Sequence, residues 1–413
     1  MFRKFWLDTI LGSLFVFGIL GLIANVSSFK VFEVFDPIGD ALADMEITDI
    51  VFSQMRPPIE GDENILLVNL SVLPRDGIAE LVNVINAFDP LVIGIDSFFY
   101  SPKDSLGDAM LEEAFNNVEN LVIASKLWYN AETDSIDSLI TSIPRLNQNA
   151  ELAFTNLITG AQTQDDLKAC RSFTPKETVY GERQLALAVK LAWHMDSVKT
   201  EKFLERNNDI EFINYRGNVL DYGDTKYGTR YFTLDVEDVF TGNFVPEIIE
   251  NKIVLFCYLG DYLGDRQALE DKFFTPLNAK YAGKATQDMF GGVIHANIIS
   301  MILNEDYIDK MDESIGWMLA IIACFFNVVL FSLIYKRIPR WYDGITKLIQ
   351  LMQLLVLMLL NLWIFDTYNY MADLTFAIIV IALSGDSLEV YYGVVKNTLT
   401  REGRRELTKM NKL

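Results

Sequence analysis

Polar side chains stand where three apolar, strand-length runs of this chain end. Asn69 ends "NILLVNL", Asp96 lies in "LVIGIDSFF", and Asp261 and Arg266 follow "NKIVLFCYLG". In open α/β sheets, ligands bind outside the carboxyl ends of the strands, so these four residues predict the rim of a ligand-binding pocket. The same residue types also cap helices and bond loop backbone, and that structural interpretation stays open.

Histidine is rare in the chain, since His194 and His295 are its only two. A histidine-rich metal centre is therefore excluded. His295 lies in "GGVIHAN", directly ahead of the helix-like "IISMIL". We interpret it as a buried, hydrogen-bonded side chain that fixes the start of this helix, with pH sensing as an alternative. Gly291 and Gly292 are expected to supply a flexible or positive-φ entry.

Motifs of known catalytic chemistry are missing from the sequence. It has no G-x-x-x-x-G-K-[ST] loop, no G-x-S-x-G elbow and no H-E-x-x-H pair. Cys170, Cys257 and Cys324 are too few and too scattered for a disulfide framework or a zinc site, although Cys170 and Cys257 could pair. We predict no catalytic residues, no enzyme activity, no metal site and no cofactor.

Strand-like and helix-like segments alternate in the region that holds these residues. "DGIAELVNVINAFD" (76–89) has apolar residues at helical spacing between the first two apolar runs. The alternation then continues with a helix at 105–118, strands at 120–128 and 151–157, a helix at 183–195, and strands at 210–217 and 251–260. This pattern predicts an α/β domain with a largely parallel or mixed sheet flanked by helices. A juxtamembrane helix is expected over residues 29–55.

Four uncharged or nearly uncharged runs, 10–26, 315–335, 348–365 and 374–395, are about long enough to cross a membrane as helices. The first could instead be a cleaved signal peptide, but its length favours an anchor. Lys and Arg are found in residues 1–9, 336–347 and 396–413, whereas 366–373 has none. The positive-inside rule therefore predicts that both termini are cytoplasmic and that residues 27–312 form one outer domain.

Charge limits the partners of the chain. The formal net charge of −21 argues against nucleic acid, which needs a basic face.

Asp386 and Glu389 lie within the last apolar run, where charged groups are costly. They mark a contact with a neighbouring helix or a second subunit, the end of the membrane helix near Ser384, or an ion pathway.

Several motifs in order resemble CHASE domains of the second type, bacterial extracytoplasmic sensors. They are "INYRG" (213–217), "DVEDVFTGNFVPEIIENKIVLF" (235–256), "GDRQALEDKFFTPL" (264–277) and "GGVIHAN" (291–297). In the opening segment Arg75 and Asp96 match the family, while Asn69 replaces its usual acid. The resemblance covers residues 30 to 305 and implies structural roles for Arg216, Pro276, His295 and Asn297. It also implies a location in the bacterial inner membrane, with the main domain in the periplasm.

Members of that family usually end in a cytoplasmic output enzyme, whereas only "KNTLTREGRRELTKMNKL" follows Val395 here. We therefore expect a sensor that lies in the lipid bilayer and binds a small ligand in its outer domain. It would act through a second membrane or cytoplasmic protein, or through a homo-oligomer. The alternative is a scaffold subunit of a multi-protein envelope complex.

Overall fold

The computed structural model describes residues 2–26, 47–57, 62–130, 135–158, 169–219, 231–278 and 286–396. The chain divides into two compact units. Residues 40–308 are called the α/β unit below, and residues 1–39 with 309–413 are called the helical unit. The predicted juxtamembrane helix before residue 47 and the predicted basic tail beyond residue 396 lie outside the described residues.

The helices are α1 (Phe2–Val26), α2 (Ile47–Ile50), α3 (Arg75–Asn86), α4 (Ser105–Asn116), α5 (Leu187–Met195), α6 (Ser197–Glu205), α7 (Val236–Thr241), α8 (Gly291–Leu303), α9 (Glu313–Arg337), α10 (Tyr342–Tyr368) and α11 (Thr375–Val390). The strands are β1 (Ile65–Asn69), β2 (Val92–Ile95), β3 (Leu121–Asn130), β4 (Ser135–Ile140), β5 (Glu151–Phe154), β6 (Leu157–Ile158), β7 (Ser172–Phe173), β8 (Lys176–Val179), β9 (Glu182–Leu185), β10 (Glu211–Phe212), β11 (Phe232–Leu234), β12 (Ile253–Cys257), β13 (Lys272–Phe273), β14 (Met289–Phe290), β15 (Asp309–Lys310) and β16 (Tyr370–Met371). Single π-helical turns follow α2 at Val51–Met55 and α11 at Tyr391–Lys396.

A seven-stranded sheet forms the centre of the α/β unit. Its order is β11–β1–β12–β2–β3–β4, and β5 is hydrogen-bonded to β3 as well. The described pairs are parallel except β3 with β4, which confirms the predicted α/β fold with a mixed sheet. Because β12 is inserted between β1 and β2, loops that are distant in sequence meet at the carboxyl ends of these three strands.

Apart from Asn69 at the end of β1, the central strands are apolar because helices cover both faces of the sheet. Every residue of β1, β2 and β12 is buried. Alternate residues such as Leu66, Ile93 and Val254 belong to one core with α3 and α4. On the opposite face, Gly94 lies under α5, where a β-carbon would come within 2.8 Å of Leu191 Cδ1. This glycine lets the helix approach the sheet closely.

Two predicted segments differ from the structure. The helix predicted over 183–195 begins only at Leu187, because Glu182–Leu185 form β9 and pair antiparallel with β8. Tyr180 and Gly181, both at positive φ, make the two-residue turn of this hairpin. The strand predicted over 210–217 shortens to β10, because the backbone at Arg216 and Gly217 is hydrogen-bonded to a side chain of α8 instead.

The helical unit contains four helices that are long and apolar enough to cross a membrane, which confirms the predicted number of spans within the described residues. Helices α1, α9 and α11 share one apolar core that includes Val16, Cys324 and Leu388. Polar side chains are paired between helices: Gln353 Nε2 donates to Asn327 Oδ1 at 2.7 Å. Hydrogen bonds of this kind between side chains help to hold neighbouring helices together, because the backbone groups of the helices are already paired within each helix.

Candidate functional site

A cavity of about 690 Å³ opens at the carboxyl edge of the sheet. Its walls come from the loops after β1 (70–73), β2 (96–100) and β5 (155–157), from Tyr258 after β12, and from the first residues of α8. A volume of this size matches the usual range of small-molecule sites. The inserted β12 explains why the site lies here, since it completes a continuous edge of parallel strand ends.

Asp96, His295 and Asp271 all line this cavity. His295 Nε2 lies 4.0 Å from Asp96 Oδ2, so the two groups face each other without a hydrogen bond. The histidine is only 3% exposed, and its Nδ1 has no hydrogen-bond partner among the described residues. The expected burial of His295 is confirmed, whereas the expected hydrogen bond is not seen at Nδ1, and Nε2 is 4.0 Å from Asp96. Asp271 approaches from the segment before β13 and lies against Gly291, the first residue of α8.

Enclosure by protein favours the uncharged forms of this cluster. Burial raises the pKa of Asp96, and the charge of His295 only partly offsets this. Burial likewise lowers the pKa of His295, although Asp96 acts in the opposite direction. Although part of Asp271 faces solvent, enclosure of its carboxyl group and then the charge of Asp96 raise its pKa well above its usual value. A ligand that supplies positive charge would stabilise the ionised carboxylates of Asp96 and Asp271 and so lower their pKa values.

Gly291 and Gly292 build the contact between this cluster and the sheet. Neither has a positive φ, so the positive-φ alternative of the expected entry is wrong. A β-carbon on Gly291 would lie 2.9 Å from Asp271 Oδ2, and one on Gly292 would lie 2.3 Å from Cys257 Sγ. The two glycines are needed for close approach, which brings the first turn of α8 onto the end of β12.

Outside this cluster the cavity has one further acidic residue, the exposed Glu270 next to Asp271, and three cations. Lys126 of β3 and Lys103 of the loop before α4 line it, are exposed, and make no ion pair among the described residues. Arg75 also lines the cavity, but its guanidinium already has partners within the protein: it is paired with buried Asp108 and donates to Ser101 O at 2.6 Å. The pairing and hydrogen bonds from Arg75 outweigh burial and lower the pKa of Asp108.

Of the four residues predicted at the pocket rim, only Asp96 lines the cavity. Asn69 is fully buried and uses its whole amide: Oδ1 accepts from Ser71 N and Leu259 N, while Nδ2 donates to Asp235 Oδ1 and Gly260 O. It therefore joins the loops at this edge rather than facing a ligand. Asp261 Oδ1 accepts from the Tyr258 hydroxyl at 3.1 Å and so positions a side chain of the wall. Arg266 is exposed and does not line the cavity.

The residues with implied structural roles lie around α8. Asn297 Oδ1 accepts from Arg216 N at 2.8 Å and Gly217 N at 3.2 Å, and its Nδ2 donates to Gly217 O. The Arg216 guanidinium donates to Asp306 Oδ2 at 3.0 Å. Pro276 is buried in the turn next to Thr275, which donates twice to the carboxylate of Asp288. Together these contacts fix the segments on both sides of α8.

Asp386 and Glu389 are exposed near the end of α11, which continues past Ser384 to Val390. Asp386 forms an ion pair with Lys347 of α10. With Asp343 they are the one set of acidic, histidine or cysteine side chains in the described chain whose ligand atoms converge within 4.8 Å. For the predicted contact with a neighbouring helix, the structure therefore shows one partner, Lys347.

The cysteines do not pair with one another in this structure. The three cysteines are free, and Cys170 and Cys257 are both buried.

Sequence reasoning missed Lys126, Lys103, Tyr258 and Asp271 as cavity residues. Lys126 carried a usable signal, since a single charge in the apolar run "NLVIASKLW" marks the point where the strand leaves the core.

Comparison with known families supports the order of motifs found in the sequence. The CHASE2 domain matches residues 41–335, which is more than half of the chain. No curated protein and no solved structure matches it. The match includes the complete seven-stranded sheet, the cavity and α8, and it extends through most of α9. The chain therefore belongs to the CHASE2 family of sensory extracellular domains.

Proposed function

We propose that this protein is a sensor subunit of the bacterial inner membrane whose α/β unit binds a small ligand in the periplasm. The cavity at the carboxyl edge of the sheet carries this proposal. It combines a volume suited to a small organic molecule with polar groups that the fold leaves unpaired. Phe98 and Tyr100, which are stacked at 5.2 Å, give the same wall an apolar surface.

The connection from this cavity to the helical unit runs through α8. His295 and Gly291, both in the cavity wall, belong to its first two turns. Leu303 ends α8, and Glu313 begins the candidate membrane span α9. A ligand that binds one position of α8 more tightly than another would shift the populations of these positions. The output would be carried by a partner protein or by a second copy of the chain.

Thermal unfolding of the intact protein in mild detergent tests ligand binding. A low-molecular-mass fraction of bacterial extract should raise the melting temperature, since a ligand at a hundredfold excess over its Kd stabilises by about 2.7 kcal/mol. Ser97→Trp, which fills the cavity, should abolish the increase. Ser105→Trp, at an exposed position outside the cavity wall, is the control and should keep it. An increase that survives Ser97→Trp would exclude this cavity as the site.

A scaffold in an envelope complex is the second candidate. Exposed apolar side chains in the loops at the same edge favour it: Val72 is 74% exposed, and Tyr262 and Leu269 are each 60% exposed. Groups of this kind are typical of protein-binding surfaces. Recovery of one stoichiometric partner in a mild-detergent pull-down, lost in Tyr262→Ser with Leu269→Ser and unaffected by Ser97→Trp, would favour the scaffold over the sensor.

A further inference from the structure

The cavity is acidic at one end and basic at another, which bears on the class of ligand if the proposed sensor function holds. Asp96 and Asp271 stand beside His295 at the start of α8. Lys126 comes from β3, on the other side of β2 from β12. Glu270, the neighbour of Asp271, adds a third acidic side chain to the wall.

The register of the strands places Asp96 and Lys126 on one face. Ile95 is level with Ile123, and both belong to the core formed with α3 and α4. Because side chains alternate along a strand, Asp96 and Lys126 point to the opposite side. Lys126 lies two residues beyond the level of Asp96 on the adjacent strand, which separates their α-carbons by about 8 Å. A ligand that reaches both must carry its opposite charges several bonds apart.

Neither Asp96 nor Lys126 has an oppositely charged side chain within hydrogen-bonding distance among the described residues. Lys126 makes no ion pair within the described ranges, and the side chain that faces Asp96 is the imidazole of His295, at 4.0 Å. The neighbouring His295 Nδ1 has no hydrogen-bond partner. A metal ion fits this end poorly, because in the described chain the donor atoms of Asp96, Asp271 and His295 do not converge within 4.8 Å of one another. An ammonium group, with three donors spread over a wider reach, suits two carboxyl groups and an imidazole better.

We propose that the cavity binds a zwitterion of short-peptide size, with its ammonium group between Asp96 and Asp271 and its carboxylate at Lys126. The volume of about 690 Å³ exceeds what a single inorganic ion or a free amino acid fills. The stacked rings of Phe98 and Tyr100 and the ring of Tyr258 provide apolar walls for the part between the two charges.

Calorimetric titration of the intact protein with three forms of trialanine and tetra-alanine tests this assignment. The free peptides should bind, whereas N-acetylated peptides, without the ammonium group, and C-terminal amides, without the carboxylate, should bind about ten- to a hundredfold more weakly. Asp96→Asn should remove the preference for a free amine, and Lys126→Gln should remove the preference for a free carboxylate. Lys103→Gln, in the same cavity, should affect all three forms equally.

Equal affinities of free and capped peptides, or the failure of every free peptide to bind wild-type protein, would overturn the zwitterion assignment. The extract experiment then separates the two levels of the proposal. If extract still stabilises wild-type protein but not Ser97→Trp, the cavity remains a sensor site for a ligand of another class. If extract has no effect either, the proposed sensor function fails together with the ligand class.

Discussion

Gly292→Ala places a methyl group where Cys257 already stands. The added β-carbon would lie 2.3 Å from Cys257 Sγ and 2.4 Å from its Cβ, far inside contact distance. Overpacking of a core costs about 1–3 kcal/mol, and this geometry predicts the upper end. Alanine regains about 1 kcal/mol of helix propensity, which leaves a net loss of about 2 kcal/mol. At roughly 2–4 °C per kcal/mol, the melting temperature of the α/β unit should fall by roughly 4–8 °C.

The assay is thermal unfolding of the intact protein in detergent, followed by tryptophan fluorescence. Gly77→Ala in α3 is the matched control, because the nearest atom to its β-carbon would be Leu73 Cδ2 at the end of a flexible side chain, at 3.3 Å, and its other neighbours would lie at 3.6 Å, an ordinary contact distance. It should leave the melting temperature unchanged or raise it. Cys257→Gly should also reduce the cost of Gly292→Ala when the two are combined, since the clashing side chain is then gone. A melting temperature of Gly292→Ala equal to that of wild type would refute the close contact between α8 and β12.

Three further predictions concern other parts of the α/β unit. Asn297→Leu should lower the free energy of unfolding by about 2–5 kcal/mol, because Arg216 N and Gly217 N lose their acceptor. His295→Leu breaks no hydrogen bond at Nδ1, so its free energy of unfolding should stay within about 1 kcal/mol of wild type. Denaturant unfolding measures both. Burial raises the pKa of Asp288 to about 7, so its stabilising contribution is complete below its unfolded pKa of 3.8 and is lost as pH rises through about 7. Asp288→Asn should therefore flatten the pH dependence of stability by up to about 4 kcal/mol over this range, and an unchanged profile would contradict the assignment. Burial also raises the pKa of Cys170 to about 12 and that of Cys257 well above its usual value, so neither thiol should react with iodoacetamide at pH 8 until the protein is denatured, as mass spectrometry of the peptides would show.

Local patterns in the sequence predicted the elements of the fold well because burial dictates them. The short, continuous apolar runs of β1, β2 and β12 are typical of strands covered on both faces, and α3 shows its helical stripe clearly. The hairpin at β9 was missed because its pairing with β8, a tertiary contact, overrides the helical pattern of Arg183–Leu185.

The candidate site was predicted only in part because it depends on the order of strands in space. Asp96 was found at a strand end, and it lines the cavity. Asn69 stands at an equivalent sequence position but lies beneath the loops, since β12 inserts next to β1 and covers it. Asp271 and Lys126 join the site through contacts with segments far away in the sequence, which periodicity cannot reveal. The two glycines before His295 show the same limit, because a close approach and a turn look identical in sequence.

Hydrogen–deuterium exchange of the intact protein, with and without the low-molecular-mass extract, tests the central claim most directly. Binding in the cavity should slow amide exchange in the loops after β1 and β2, at Tyr258, around Asp271 and in the first turns of α8. Ser97→Trp should remove this protection. Protection confined to other surfaces, or protection that persists in Ser97→Trp, would contradict a ligand site at the carboxyl edge of the sheet.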